Sequence, residues 1–169
     1  MEKEIIMLEE LAEFIVEAKK NGYASNRKEE IMNDGSRKWF FQKEPFYYED
    51  NFKGGKYFFG NEEVRREGRN NPVIWGMSYF GGMLKEYMFD LELKRKTYEF
   101  LKEVLSKVEK DFPFRGPKEF EEGDFRYFNS IEGDIERFKG AERILARLEG
   151  NPGYTEVYSL DYLGGLLIQ

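Results

Sequence analysis

The sequence predicts an α+β fold: a duplicated αβββ-type repeat forming one curved antiparallel sheet or open barrel with two packed helices. Three observations predict it. Phe41, Phe46, Tyr48, Gly54 and Phe59 recur 79 positions later as Phe120, Phe125, Tyr127, Gly133 and Phe138. The offset then drifts as loop insertions make it drift: Gly60-Asn61-Glu62-Glu63-Val64 meets Gly140-Ala141-Glu142-Arg143-Ile144 at 80, and Tyr79-Phe80-Gly81-Gly82 meets Tyr162-Leu163-Gly164-Gly165 at 83. Each copy also opens on a helical stripe and continues in short aromatic and β-branched runs broken by Gly, Asn, Asp and Pro. The chain reads as a single domain, 1–169, made of two halves, about 1–89 and 90–169, neither large enough to fold alone.

The first helix is expected from about Lys3 to Lys20. Leu8, Leu11, Ala12 and Ile15 fall at i, i+3, i+4 and i+7, and Asn21-Gly22 supplies a left-handed stop. A long connection, Tyr23 to Arg37, leads to strands at Trp39–Gln42, Phe46–Glu49, Lys56–Phe59, Val64–Glu67 and Val73–Tyr79. The second helix carries Tyr98, Leu101, Leu105 and Val108 on one face, and Pro113 with Gly116-Pro117 keeps it from running on. Strands follow at Glu119–Glu121, Phe125–Asn129, Ile135–Phe138, Ile144–Leu148 and Thr155–Leu163. Asn70-Asn71-Pro72 and Gly150-Asn151-Pro152-Gly153 stand at equivalent hairpin turns.

Composition removes whole reaction classes. The chain has no cysteine and no histidine, so disulfides, thiol chemistry, imidazole bases and the usual zinc and iron ligand sets are absent. No metal and no cofactor is expected, although carboxylates and carbonyls would suit magnesium, calcium or manganese. A net charge of −6 argues against direct nucleic-acid binding, and no run approaches the length of a membrane span. The start, Met1-Glu2-Lys3-Glu4, lacks the layout of a signal peptide, so a cytoplasmic location is expected. Abundant Glu and Lys without Cys or His is a thermophile-like composition.

Six residues are candidates for a ligand site. Trp75, Tyr79 and Tyr162 belong to the aromatic strands that end in Gly-Gly, where they would line a cleft for flat or cationic ligands; Trp75 is expected to have no aromatic counterpart in the other half. Arg115 lies in the proline-bounded loop Phe112-Pro113-Phe114-Arg115-Gly116-Pro117, where a pre-set guanidinium could grip a carboxylate or phosphate or tether the loop. Glu132 and Asp134 flank Gly133 in a carboxylate-rich stretch that also contains Glu122-Gly123-Asp124. Turn chemistry explains that stretch, and paired-acid or magnesium catalysis is the alternative. Phosphate-loop, dinucleotide and serine-elbow motifs are missing.

Four blocks carry a resemblance: the F-x-G-G segment followed by G-x-E-x-V within Phe52–Val64, the P-[VI]-W-G-M-x-Y-[FY]-G strand within Pro72–Gly82, the P-[FY]-R-G-P loop at Pro113–Pro117, and the closing Tyr162-Leu163-Gly164-Gly165. Together they resemble an uncharacterised bacterial and archaeal domain family, found alone or behind a helix-turn-helix in transcription regulators. That resemblance implies a sensing or ligand-binding module, not an established activity. The doubled unit is also similar in architecture to gyrase-inhibitor and SOUL-type effector-binding domains, which implies a small-molecule cleft between the halves. The expectation is a non-enzymatic small-molecule-binding module; the alternative is an enzyme using carboxylate acid/base or magnesium chemistry.

Overall fold

A computed structural model of the chain describes residues 2–23 and 29–167. Along the chain come helix α1 (Glu2–Tyr23) and strands β1 (Glu30–Ile31), β2 (Arg37–Lys43), β3 (Phe46–Gly54), β4 (Tyr57–Arg66) and β5 (Val73–Met83). Helix α2 (Leu91–Ser106) and strands β6 (Glu119–Glu122), β7 (Phe125–Asp134), β8 (Arg137–Arg147) and β9 (Tyr154–Leu166) follow. Among the described residues, nine strands form one antiparallel sheet in the order β1-β2-β3-β4-β5-β9-β8-β7-β6. Its two edges, β1 and β6, do not pair, so the sheet stays open and no closed barrel forms.

Two meanders of hairpins start at opposite edges and meet at β5 and β9. Tyr79 faces Tyr162 there, and the pairs Met77–Gly164 and Gly81–Leu160, like Trp75–Leu166 and Met83–Tyr158, interchange under the offset of 83. Tyr158 is therefore the counterpart of Trp75, which corrects the expectation that Trp75 has none. The register agrees: Val64 faces Trp75, Ile144 faces Tyr158, and β4 and β8 shift register immediately after those residues.

The helices cover one face of the sheet. α1 packs on β2 and β3, α2 packs on β7, and the helices pack on each other. Phe14 meets Phe46 with ring centres 5.1 Å apart, and Phe100 meets Phe125 at 5.2 Å. α2 begins at Asp90, whose side chain accepts from the Leu93 N–H at 2.9 Å, and it buries Leu93, Thr97, Phe100, Leu101, Val104 and Leu105. Each large apolar side chain so buried contributes about 1.5–3 kcal/mol before entropy is counted. On the opposite, uncovered face Phe40, Phe59, Phe80, Phe128 and Leu163 remain exposed.

The boundaries differ from expectation in two informative places. α1 continues through Gly22, which lies flush against the Trp39 indole where any Cβ would collide. Its small size serves packing rather than a helix stop. The runs expected as Lys56–Phe59 and Val64–Glu67 are a single β4, and Ile135–Phe138 and Ile144–Leu148 fall largely within a single β8. What interrupts each apolar run is a glutamate, Glu62 or Glu142, and both point into the core. Part of the long first connection, 24–28, lies outside the described residues.

Glycines in the Tyr-x-Gly-Gly segments and opposite their tyrosines have two distinct tasks. Gly82 and Gly165 hold φ of 152° and 153°, a region that side chains disfavour. Gly60 and Gly140 instead face Tyr79 and Tyr162 across the strands, and a Cβ on either would overlap the tyrosine ring.

Candidate functional site

A row of polar side chains crosses the covered face of the sheet. Asp50 of β3 pairs with Glu62 of β4, the two tyrosines Tyr79 and Tyr162 meet at the centre, and Glu142 of β8 pairs with Asn129 of β7. All six are buried. Alternation along the strands puts them there: Glu62 shares the face of Gly60 and Val64, and Glu142 that of Gly140 and Ile144. Isolated carboxylates cannot stay ionised in such a place without partners.

Two cations reach down to supply them. Lys19 of α1 lies 2.9 Å from Glu62 and also donates to the Phe114 carbonyl. Arg115 donates to Glu142 at 2.8 Å and holds its other terminal nitrogen 3.9 Å from Glu62, so one guanidinium bridges both halves. Glu142 further accepts from the hydroxyls of Tyr127 at 2.7 Å and Tyr158 at 2.9 Å. Burial, then the Glu142 charge, pushes both phenols well above their usual range. Burial outweighs the Glu62 charge at Lys19 and lowers its ammonium pKa.

The two ends of the row are alike except in charge. Tyr79 donates to Asp50 at 2.8 Å, and Tyr162 donates to Asn129 at 2.7 Å. Two cations balance two glutamates, which leaves Asp50 as the odd group. Burial first and the Glu62 charge second raise its pKa to about 7, against the opposing pull of the Tyr79 hydrogen bond, Arg115 and Lys19.

What lies above each end also differs. Over Asn129 the Pro113–Pro117 loop closes the space: Asn129 donates to the Gly116 carbonyl at 3.1 Å, and the Gly116 N–H donates to Tyr127 at 3.1 Å. Over Asp50 a cavity of about 420 Å³ opens between α2 and the first-half strands. Asp50, Tyr79 and Arg115 form its floor, Phe52, Phe58, Tyr98, Leu101 and Leu105 its walls, and Arg37, Lys94 and Gly54-Gly55 its mouth. Exposure rises along this path from the buried floor to the exposed Arg37. The Phe58 ring stands 6.3 Å from Tyr98 and edge-on to Tyr79 at 6.2 Å. A cavity of this size, apolar with a few converging polar groups, is what small-molecule sites look like.

A second, shallower hollow of about 770 Å³ lies on the uncovered face across β4, β5, β9, β8 and β7. Phe59, Phe80 and Leu163 supply its apolar surface, and Glu132 and Lys139 stand at its rim.

The six candidate residues are thus dispersed. Tyr79 and Arg115 meet at the cavity floor. Tyr162 is buried against Asn129, outside that cavity. Trp75 is fully buried, stacked on Phe138 at 5.8 Å and donating from Nε1 to the Ile135 carbonyl at 3.1 Å, which leaves no face for a ligand. Glu132 pairs with Lys139 at 2.8 Å on the surface, and Asp134 caps the turn by accepting from the N–H groups of Glu136 and Arg137. Among the described residues no three acidic side chains come together to hold a metal. The same residues contain no helix long and apolar enough to cross a membrane. Asp50, Glu62, Glu142 and Lys19 escaped the sequence reading. The matched positions Glu62 and Glu142, on the parity of core residues, were the signal that could have found two of them.

The matched segments that build the floor, the bridging loop and the β5–β9 seam all fall within one family model, which covers residues 50–167. The chain belongs to the DUF5680 family. This family is described as a domain of unknown function. The DUF5680 match starts at Asp50, so it spans the floor, Phe52, Phe58 and all of α2, while Lys19 and Arg37 precede it. Neither curated proteins nor solved structures gave a match to the chain.

Proposed function

We propose that this DUF5680 chain is a small-molecule-binding module, of a sensor or effector-binding kind, whose ligand occupies the cavity between α2 and strands β3 to β5. The observation that carries this reading is the contrast between the two ends of the polar row. One is plugged by its own loop and carries a neutral amide; the other opens to a 420 Å³ cavity and carries an acid. We read the halves as products of an internal duplication, supported by the interchangeable register at β5 and β9. The cavity draws its lining from both halves, with Lys94, Tyr98, Leu101, Leu105 and Arg115 from the second.

A thermal-shift screen of a fragment library tests the reading. Compounds that fill the cavity are expected to raise the melting temperature of the wild-type protein in proportion to their saturation. They are expected to lose that effect on Leu101→Trp, whose indole fills the wall. Compounds that stabilise both proteins equally, or a library without one binder, would refute it.

A second reading has one observation in its favour. The expected catalytic pair, Glu132 and Asp134, stands on an exposed hairpin, but Asp50, with a pKa raised to about 7, has the basicity that acid–base catalysis uses. Turnover of a cavity ligand that disappears in Asp50→Asn, with binding retained, would establish it.

A further inference from the structure

The cavity has a chemical polarity that narrows what it can hold, given that it is a binding site as proposed above. We infer that it takes a zwitterion: a protonated amine on the Asp50 carboxylate, an apolar body between Phe58 and α2, and a carboxylate or phosphate-like anion at Arg37 and Lys94.

The floor argues for the cation. Asn129 occupies the place equivalent to Asp50 and makes the same tyrosine hydrogen bond, 2.7 Å against 2.8 Å, so the scaffold does not need an ionisable group there. Every other charge in the row has an opposite number: Lys19 with Glu62, and Arg115 with Glu142. An ionised Asp50 leaves one negative charge over, in a place where a lone charge is costly. A ligand ammonium removes that imbalance and gains a charge-assisted hydrogen bond.

The mouth argues for the anion. Arg37 lies over the Phe52 ring at 5.2 Å and Lys94 near the Tyr98 ring at 6.0 Å, so aromatic walls support both cations. Among the described residues Arg37 forms a half-exposed ion pair with Glu29 at 3.5 Å, a weak pair that a ligand anion can replace. A ligand carrying only positive charge would have to pass both cations. Along β3, the partner position of Arg37 is Phe52, two residues from Asp50, and Gly54 is four away. At about 3.3 Å per residue that sets the two charged ends roughly 7–13 Å apart. Walls of Phe58, Tyr98 and Leu101 suit a flat or aliphatic spacer.

Four probes built on one benzene ring separate the contributions: 4-(aminomethyl)benzoate, benzylamine, benzoate and the neutral 4-methylphenol. Their affinities for the full chain can be measured by calorimetry or by amide shifts. The zwitterion is expected to bind at least about tenfold tighter than any other probe. Asp50→Asn is expected to reduce it to the level of benzoate, and Arg37→Gln with Lys94→Gln to that of benzylamine. Asp50 faces Glu62, Tyr79, Arg115 and Lys19, and burial with the Glu62 charge raises its own pKa to about 7. Zwitterion binding is therefore expected to weaken about thirtyfold between about pH 8 and about pH 5.5, a dependence that Asp50→Asn abolishes. Equal affinities for the four probes, or a zwitterion affinity indifferent to Asp50→Asn, would overturn the inference. If 4-methylphenol binds wild type and fails on Leu101→Trp while the amine adds nothing, the cavity is a site but not for this class. If none of the four binds, the binding-site reading falls with it.

Discussion

Asp50 is the residue whose replacement says most. Its carboxyl holds a proton to about pH 7 in the fold, against an ordinary value of 3.8. Between those limits the folded chain binds more protons than the unfolded one, so stability falls as pH rises through the window and levels off above it. Asp50→Asn should remove this slope while keeping the bond from Tyr79, as Asn129 does for Tyr162. Denaturant titrations are expected to show the variant no more stable than wild type near pH 4 and more stable by about 2–4 kcal/mol above pH 7. A variant less stable than wild type above pH 7, where Asp50 is ionised, would show that its charge supports the fold.

At the scale of elements, each helix is fastened to its own meander by the same aromatic contact. Phe14 of α1 lies against Phe41 and Phe46; Phe100 of α2 lies against Phe120 and Phe125 at nearly the same distances. Phe14→Ala and Phe100→Ala are each expected to cost about 3–5 kcal/mol, measured by chemical denaturation. A large cost for only one of them would mean that the helices are not held alike. These elements were legible because an aromatic residue in a short β run has one place to go, and its recurrence at a fixed offset fixes the register. The polar row was not, because a glutamate inside a strand reads as the solvent face or as the strand's end. Glu62 and Glu142 split two long strands into four short expectations for that reason. The cavity was less legible still: its lining comes from positions scattered between Arg37 and Arg115, and only Tyr79 and Arg115 of them stood among the candidate site residues.

At the scale of the molecule, the seam between β5 and β9 joins the halves, and the Arg115 bridge to Glu62 and Glu142 crosses it. Cutting the chain between 89 and 90 leaves each fragment with unpaired β5 or β9 edges and unbalanced buried carboxylates. Each fragment alone is expected to lack cooperative unfolding by calorimetry, and the two mixed together to recover it. Cooperative folding of either piece alone would make the halves independent domains.

The loop that seals the Asn129 end has a consequence for how this protein can change. The sealed lobe works as a keystone, its interior fixed by mutual hydrogen bonds. The open end is lined by Phe52, Phe58 and Tyr98, which are only partly buried, so exchanging them for other shapes is expected to cost less than a change at the sealed end. On the proposed binding reading, selection can therefore retune what the cavity admits while its twin keeps the arch standing.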